Sequence, residues 1–131
     1  MRGALLLVAV AAAVTAAGCG TQGVDVPDDE PAAIQEGAEI FADRCAGCHT
    51  LEAAGTQGSA NRSQRQQGPN FDQRREDLED VIFAIRNGGF SGAIMPQNIV
   101  VGPDADKVAA FVAKYAGQDV VDAPRPTSTS P

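Results

Sequence analysis

Two cysteines and a histidine that lie close together are the residues whose types and spacing could do chemistry. They belong to the stretch Cys45-Ala46-Gly47-Cys48-His49. Two thiols separated by two residues and followed at once by a histidine are typical of covalent haem attachment. Each thiol would add to one vinyl group of the porphyrin, and the next residue would bring an imidazole to the iron. His49 is the only histidine in the chain, so an imidazole ligand has one possible source.

Three other interpretations of this motif stay open. A thioredoxin-like redox pair would need a preceding strand in a βαβ unit, whereas the flanking pattern here predicts helix. A zinc site would need four ligands, and the sequence holds no second cluster of cysteine and histidine. A structural disulfide between Cys45 and Cys48 is the simplest alternative. Haem attachment is favoured because features further along the chain agree with it.

A second candidate ligand lies in the glycine-rich stretch from Gly88 to Pro96. Met95 is the only methionine besides the initiator, and the proline after it favours an extended backbone. The glycines allow a tight path close to a flat ligand. A lone methionine usually fills a gap in a core. In a chain that already has a haem histidine, this placement predicts an axial thioether ligand.

The pair Gly68-Pro69 offers a partner for the histidine. Proline has no N–H to donate, but its carbonyl oxygen can accept a hydrogen bond. A metal-bound imidazole usually donates its other N–H to a carbonyl or carboxylate, which orients the ring and raises its basicity. We therefore predict a hydrogen bond from His49 to the Pro69 carbonyl. The predicted cofactor-binding set is Cys45, Cys48, His49, Met95 and Pro69, with His49 and Met95 on the iron.

Helical segments must position these residues. The first is predicted from about residue 33 to residue 45, with one apolar stripe formed by Ile34, Gly37 and Phe41. A glycine inside a helix costs about 1 kcal/mol relative to alanine, and close approach of a second helix would compensate. The middle helix is predicted over 75–87, with Gly88 as its left-handed stop. Its apolar stripe consists of Leu78, Val81, Ile82 and Ile85.

The last helix is predicted to begin at Pro103, because proline is favoured in the first turn. Its apolar stripe follows the same helical spacing and consists of Val108, Phe111, Val112 and Tyr115. Phe111 and Tyr115 are predicted to lie across Gly37 and Phe41. The first and last helices should therefore cross.

The remaining segments are predicted to flank or interrupt one domain over residues 33–117. Residues 1–18 are typical of a secretory signal, with a positive start, a short apolar run and small residues at the end. Residues 19–32 are predicted to hold a lipidated Cys19 and a flexible acidic linker, because this composition buries little apolar area. Residues 52–67 are predicted to form a polar surface loop. Residues 118–131 are predicted to be a disordered tail.

The residues at the end of the predicted signal indicate where the protein would be located. Ala16-Ala17-Gly18-Cys19 resembles the lipobox of bacterial lipoproteins, although Ala16 stands where that family more often has leucine. In such proteins the cysteine is lipidated and becomes the new N-terminus. We therefore expect an extracytoplasmic protein anchored to the cell membrane through Cys19. An uncleaved short anchor and an ordinary secretory signal are the alternatives.

Taken in order, these motifs resemble those of the class I c-type cytochromes, the small single-haem electron carriers. The matching features are Gly37 and Phe41, Cys45-x-x-Cys48-His49, Gly68-Pro69, and Met95-Pro96 ahead of a helix bearing Phe111 and Tyr115. The resemblance covers about residues 33–117. It implies an all-α, cytochrome c-like fold of three to five helices around one covalently bound haem c.

The resemblance also implies a function, which is one-electron transfer by a haem ligated by histidine and methionine, without catalysis by the chain itself. The expected partners are extracytoplasmic respiratory complexes, such as a quinol-oxidising complex and a terminal oxidase. They would dock at the ring edge near Cys48 and on an apolar rim of Ala93 and Ile94. The formal net charge of −7 disfavours nucleic acid and would steer basic partners. A haem-based small-ligand sensor and an electron-entry subunit of a larger oxidoreductase stay open as alternatives.

Overall fold

Three α-helices dominate the part of the chain that the structure describes. This computed structural model describes residues 23–58, 68–90 and 94–120. The helices are α1 (Ala32–Arg44), α2 (Leu78–Asn87) and α3 (Pro103–Tyr115). Two antiparallel hairpins lie between them, β1 (Thr50–Leu51) with β2 (Thr56–Gln57) and β3 (Gly89–Phe90) with β4 (Ile94–Met95). Single 3₁₀ turns occupy Glu52–Ala54 and Phe71–Gln73. Because each strand is only two residues long, the predicted all-α class is confirmed.

Helices α1 and α3 cross at Gly37. A β-carbon at this position would collide with the backbone carbonyl of Lys107 and lie 3.0 Å from the β-carbon of Phe111. Beside the crossing, the rings of Phe41 and Phe111 meet edge to face, with their centroids 5.8 Å apart. The predicted crossing is confirmed, and the absence of a side chain at Gly37 is what allows the two backbones to approach.

The position of Tyr115 differs in detail from the prediction. Its ring lies 5.3 Å from that of Phe111, and its hydroxyl donates a hydrogen bond of 3.0 Å to Oε1 of Glu30. The second contact connects α3 with the segment before α1, which the helical periodicity of the sequence does not reveal.

Helix α2 begins three residues later than predicted. Asp77, its N-terminal cap, has an extended backbone, so the acidic residues before Leu78 lie outside the helix. Leu78 itself is 43% exposed, and Val81 and Ile85 are the buried residues of the predicted apolar stripe. The extended stretch allows Glu76 to form an ion pair with Arg74, a contact that competes with a further helical turn.

Gly88 ends α2 in a conformation different from the predicted left-handed stop. Its φ of 73° is positive as predicted, but its ψ of −174° is extended, a combination that is open almost only to glycine. The chain therefore leaves α2 directly into β3. A β-carbon at Gly88 would also collide with the carbonyl oxygen of Met95, so this glycine permits the β3–β4 hairpin to fold back.

Residues 23–31, here called the N-terminal strap, lie against the helices although they were predicted to belong to a flexible linker. The Asp25 N–H donates to the Ala53 carbonyl over 2.9 Å, and Val26 packs on the core. The carboxylate of Glu30, whose side chain is 13% exposed, forms an ion pair with Lys114.

The residues after α3 also contact the rest of the protein. The Asp119 N–H donates to the Asp72 carbonyl over 2.9 Å. These contacts join residues on both sides of the predicted domain to its folded part.

The contribution of Glu30 to stability is expected to depend on pH. The hydrogen bond from Lys114 is the main cause that lowers the pKa of Glu30 below its ordinary 4.5. A lowered pKa stabilises the folded state above the ordinary value, and this stabilisation is lost as pH falls through the folded-state pKa. We expect Glu30→Gln to lower the thermal unfolding midpoint at neutral pH and to converge with the unaltered protein in acid. Glu39→Gln, an exposed charge change on α1, is the control; an equal loss in both variants would contradict the prediction.

Several predicted features lie outside the described residues. These are the signal at 1–18, the lipidation site Cys19, the loop from 59 to 67, Ala93, and the tail from 121 to 131. Within the described ranges, none of the helices is both long enough and apolar enough to cross a membrane.

Candidate haem site

The Cys-x-x-Cys-His motif forms a turn at the C-terminus of α1. The Cys45 N–H caps the helix by donating to the Phe41 carbonyl over 2.8 Å, and the Cys45 carbonyl accepts from the N–H groups of Cys48 and His49 at 3.1 and 3.0 Å. These local bonds hold both thiols and the imidazole within one turn. Cys45 and His49 are buried, whereas Cys48 is partly exposed.

The His49 ring is oriented by the residue predicted to do so. Its Nδ1 lies 3.1 Å from the Pro69 carbonyl oxygen. Because a carbonyl can only accept, Nδ1 carries the hydrogen, and Nε2 keeps the lone pair that a metal would need. Burial lowers the pKa of His49, and the hydrogen bond to Pro69 only partly opposes this. On balance the surroundings favour a neutral imidazole, the form that binds metals.

Two further residues support the imidazole, and the sequence analysis gave neither of them a role. The Phe71 ring stacks on the His49 ring, with centroids 4.7 Å apart and planes 8° from parallel. A β-carbon at Gly68 would collide with the imidazole, so only glycine lets this backbone pass the ring. Asn70 orders the turn between them by accepting from the Asp72 N–H over 2.9 Å. The pattern Gly-Pro-Asn-Phe does not by itself indicate which ring it will cover.

The hairpin β1–β2 closes over the backbone of His49, so residues 52–58 of the predicted polar surface loop are folded against the motif. As far as residue 58 the segment is folded, with Ala54 and Thr56 buried. The Thr56 hydroxyl donates to the His49 carbonyl and accepts from the Leu51 N–H, both over 3.0 Å. A β-carbon at Gly58 would collide with the backbone around the motif. The polar composition of this segment gave no sign that part of it is buried. Thr56 can be buried because backbone groups satisfy the hydrogen bonds of its hydroxyl.

Met95 lies in the extended conformation expected before a proline. It is the second residue of β4, pairs with Gly89 in β3, and is half-buried. Its neighbour Ile94 is 79% exposed, in agreement with the predicted apolar rim, whereas Ala93 lies outside the described residues. The hairpin thus places one side chain toward the interior and the next one at the surface.

An apolar cavity of about 300 Å³ brings the predicted side chains together. Cys45, Cys48, His49 and Met95 all line it, and so does Pro69. Its volume is at the lower end of the range typical of ligand sites. All three helices contribute to its apolar wall, which includes Val81, Ala84, Ile85, Ile99, Val108 and Val112. Residues far apart in the sequence therefore meet at one site.

These features fit a flat apolar group that carries a metal and reacts with two thiols. Burial is the main cause that raises the pKa of Cys45 to about 12, whereas a thioredoxin-like pair needs a thiol that ionises readily. Within the described ranges, no cluster of three or more His, Cys, Asp or Glu could hold a metal ion. The zinc and redox-pair alternatives therefore fit the site poorly.

The crossed terminal helices and the Cys-x-x-Cys-His turn beside an apolar cavity define a small, all-α, single-haem protein of the c type. Comparison with known proteins agrees. The sequence profile of the cytochrome c family matches residues 34–116, and the chain belongs to that family. The class I resemblance, the cytochrome c-like fold and the covalently bound haem c are thereby confirmed. The chain is an electron-transfer protein rather than an enzyme in itself.

A solved relative supports the same assignment. The crystal structure of the c-type cytochrome SorU from Sinorhizobium meliloti is 35% identical in sequence and superposes with a TM-score of 0.54. The match covers 68% of this chain and 97% of SorU. A search of curated proteins found no significant match. The cytochrome domain thus accounts for nearly the whole of SorU, whereas this chain has additional residues outside the match.

Proposed function

We propose that this protein is a one-electron carrier whose haem c is attached through Cys45 and Cys48 and ligated by His49 and Met95. The contact between His49 Nδ1 and the Pro69 carbonyl, 3.1 Å long, carries the proposal, because it leaves Nε2 available in a cavity that Met95 also lines. When bound, the haem supplies an iron that exchanges one electron.

The surroundings of His49 favour a carrier because they hold the ligand in one position. Phe71 stacks on one face of the ring, and Gly68 lies against it. The carbonyl of Pro69 fixes the tautomer. Groups that need not rearrange when charge changes on a nearby metal lower the reorganisation that electron transfer requires, as in other preorganised sites.

The attachment can be tested by a pyridine haemochrome spectrum of the denatured, fully matured protein. We expect the spectrum of covalently bound haem. In the double variant Cys45→Ser, Cys48→Ser, any haem should be lost on denaturation, whereas the matched control Cys19→Ser should retain it. A colourless unaltered protein, or haem retained by the double variant, would contradict the proposal.

We further propose that the protein works outside the cytoplasm, anchored to the membrane by a lipid on Cys19. The support is the signal-like segment 1–18 and its lipobox-like end. Two or more acyl chains would suffice for stable anchoring. Mass spectrometry of the mature N-terminus is expected to find Cys19 as the first residue, with acyl chains attached. An unmodified Cys19, or one that has been cleaved away, would rule out the anchor.

As redox partners we propose respiratory complexes, such as a quinol-oxidising complex and a terminal oxidase, with basic docking surfaces. Ile94 is exposed beside Met95 and the cavity, which supplies an apolar contact where electrons would leave. The formal net charge of −7 would speed association with basic partners, and the rate should fall as salt rises. Rapid carbon monoxide binding by the ferrous protein would instead indicate the sensor, and a stoichiometric copurifying subunit would indicate the electron-entry role.

A further inference from the structure

Four charged side chains interrupt the otherwise apolar lining of the cavity. This charged rim consists of Arg44, Arg74, Glu76 and Asp80. The two arginines are mostly exposed, whereas the Glu76 side chain is only 10% exposed and forms an ion pair with Arg74. Glu76 is therefore a nearly buried acid in the wall of the site, and neither the family assignment nor the ligand set gives it a role.

We propose that Glu76 exchanges a proton with solvent in step with the redox state of the haem. On reduction, one electron arrives from the redox partner and the Glu76 carboxylate takes up one proton from water. On oxidation, the electron leaves and the proton is released. The reduction potential should therefore fall as pH rises through the titration of Glu76. This inference depends on the proposed function, because it requires that the cavity hold the haem.

The physical reason is the attraction between charges at a poorly hydrated site. Oxidised haem carries one more positive charge than reduced haem, so a nearby carboxylate stabilises the oxidised form. The attraction is stronger near the protein interior than in bulk water, because the effective dielectric constant is lower. Glu76 lines the cavity, so we expect its carboxylate to be attracted to a haem held there.

The charges near the cavity should also raise the pKa of Glu76. Arg74 pairs with Glu76, whereas Arg44 pairs with Asp43, which does not belong to the rim. A porphyrin of the haem type would bring two carboxylates of its own to the cavity. Like charges at close range raise the pKa of one another. A porphyrin carboxylate close to Glu76 would therefore raise the pKa of Glu76 further.

The immediate surroundings of Glu76 shift its pKa in the same direction. Burial is the largest cause that raises the pKa of Glu76 above its ordinary 4.5, and Arg74 opposes this. The other charged groups that face this position are Asp77 and Asp80, which raise the pKa, and Arg44, Arg75 and Lys114, which line the adjoining surfaces. Lys114 is paired with Glu30, so its charge is largely balanced there.

The test measures the reduction potential of the full-length holoprotein at a series of pH values from acidic to alkaline. Each redox titration is monitored by visible absorption. Glu76→Gln should raise the reduction potential at alkaline pH, meet the unaltered protein at acidic pH, and lose the pH dependence between them. Glu76→Asp keeps a carboxylate and should keep that dependence. Glu79→Gln is the matched control, because Glu79 is exposed on α2 and does not line the cavity.

A potential that varies with pH in Glu76→Gln as it does in the unaltered protein would overturn the inference, and so would loss of the dependence in Glu79→Gln. The haemochrome spectrum of each variant separates this result from failure of the proposed function. If the variants contain covalent haem and only the pH profile disagrees, the role of Glu76 alone is wrong. If the unaltered protein is colourless, the proposed function fails first.

Discussion

Replacing Met95 by alanine is expected to remove the far-red sulfur-to-iron charge-transfer band of the oxidised protein and to lower its reduction potential. A thioether ligand raises the potential of a histidine-ligated haem, and axial ligands together span a range of about 0.8 V. The decrease should be a sizeable part of that range. Absorption spectra and a redox titration of the matured variant measure both effects.

The effect of Met95→Ala should be large because the chain has no second methionine or histidine that could take the place of Met95. Met95 is the only methionine besides the initiator, and His49 is the only histidine. The β3–β4 hairpin also holds Met95 in place, with Gly88 packed against its carbonyl. The ferrous variant should therefore bind carbon monoxide much faster than the unaltered protein does.

The matched control for Met95 is its neighbour in the same strand. Ile94 is mostly exposed, so Ile94→Ala should leave the charge-transfer band in place and change the potential little. If Met95→Ala keeps the band, the methionine is not a ligand and the assignment of the second axial position is wrong.

Replacing Gly37 by leucine is expected to lower the free energy of unfolding by about 1–3 kcal/mol, the usual cost of overpacking a core. The upper end of that range is expected here, because the first atom to collide is the backbone carbonyl of Lys107. A backbone in the middle of a helix cannot move aside as a flexible side chain can. Chemical denaturation of the holoprotein, followed by far-UV circular dichroism, measures the loss.

The control for Gly37 lies one turn earlier on the same helix. Ala33 is exposed, so Ala33→Leu adds nearly as much bulk at the surface, and its effect should lie within the small range of surface substitutions. Equal stability of Gly37→Leu and Ala33→Leu would contradict the close crossing of α1 and α3.

The sequence allowed much of the helical framework to be predicted, but the ends of the helices less well. The stripes of α1 and α3 are long and regular, so the predicted bounds of α1 and the predicted start of α3 lie within one residue of the observed ones. α2 begins later because Glu76 pairs with Arg74 in an extended stretch, and a pattern of acids and apolar residues contains no sign of that competition. Gly88 was correctly predicted to need a positive φ, whereas its ψ depends on the hairpin that follows.

Contacts between distant segments were the least predictable part. The stacking of Phe71 on His49, the closure of Thr56 over the His49 carbonyl and the docking of the N-terminal strap all join residues separated by polar stretches. The same composition would suit an exposed loop. The docked segments differ from an exposed loop because their buried polar groups have hydrogen-bond partners. Those partners can be identified only when both segments are in place.

By itself, the sequence determined the chemistry available to this protein. The sequence fixes the types and the order of the reactive groups, which are two thiols, one imidazole and one thioether. Within the five residues of the Cys-x-x-Cys-His motif, the short chain also keeps the two thiols and the imidazole close together. Only the tertiary structure decided that Pro69, Met95 and Glu76 share a cavity with that motif. Their proximity depends on which helix and hairpin surfaces cover one another, and this is a property of the packed whole rather than of any local stretch.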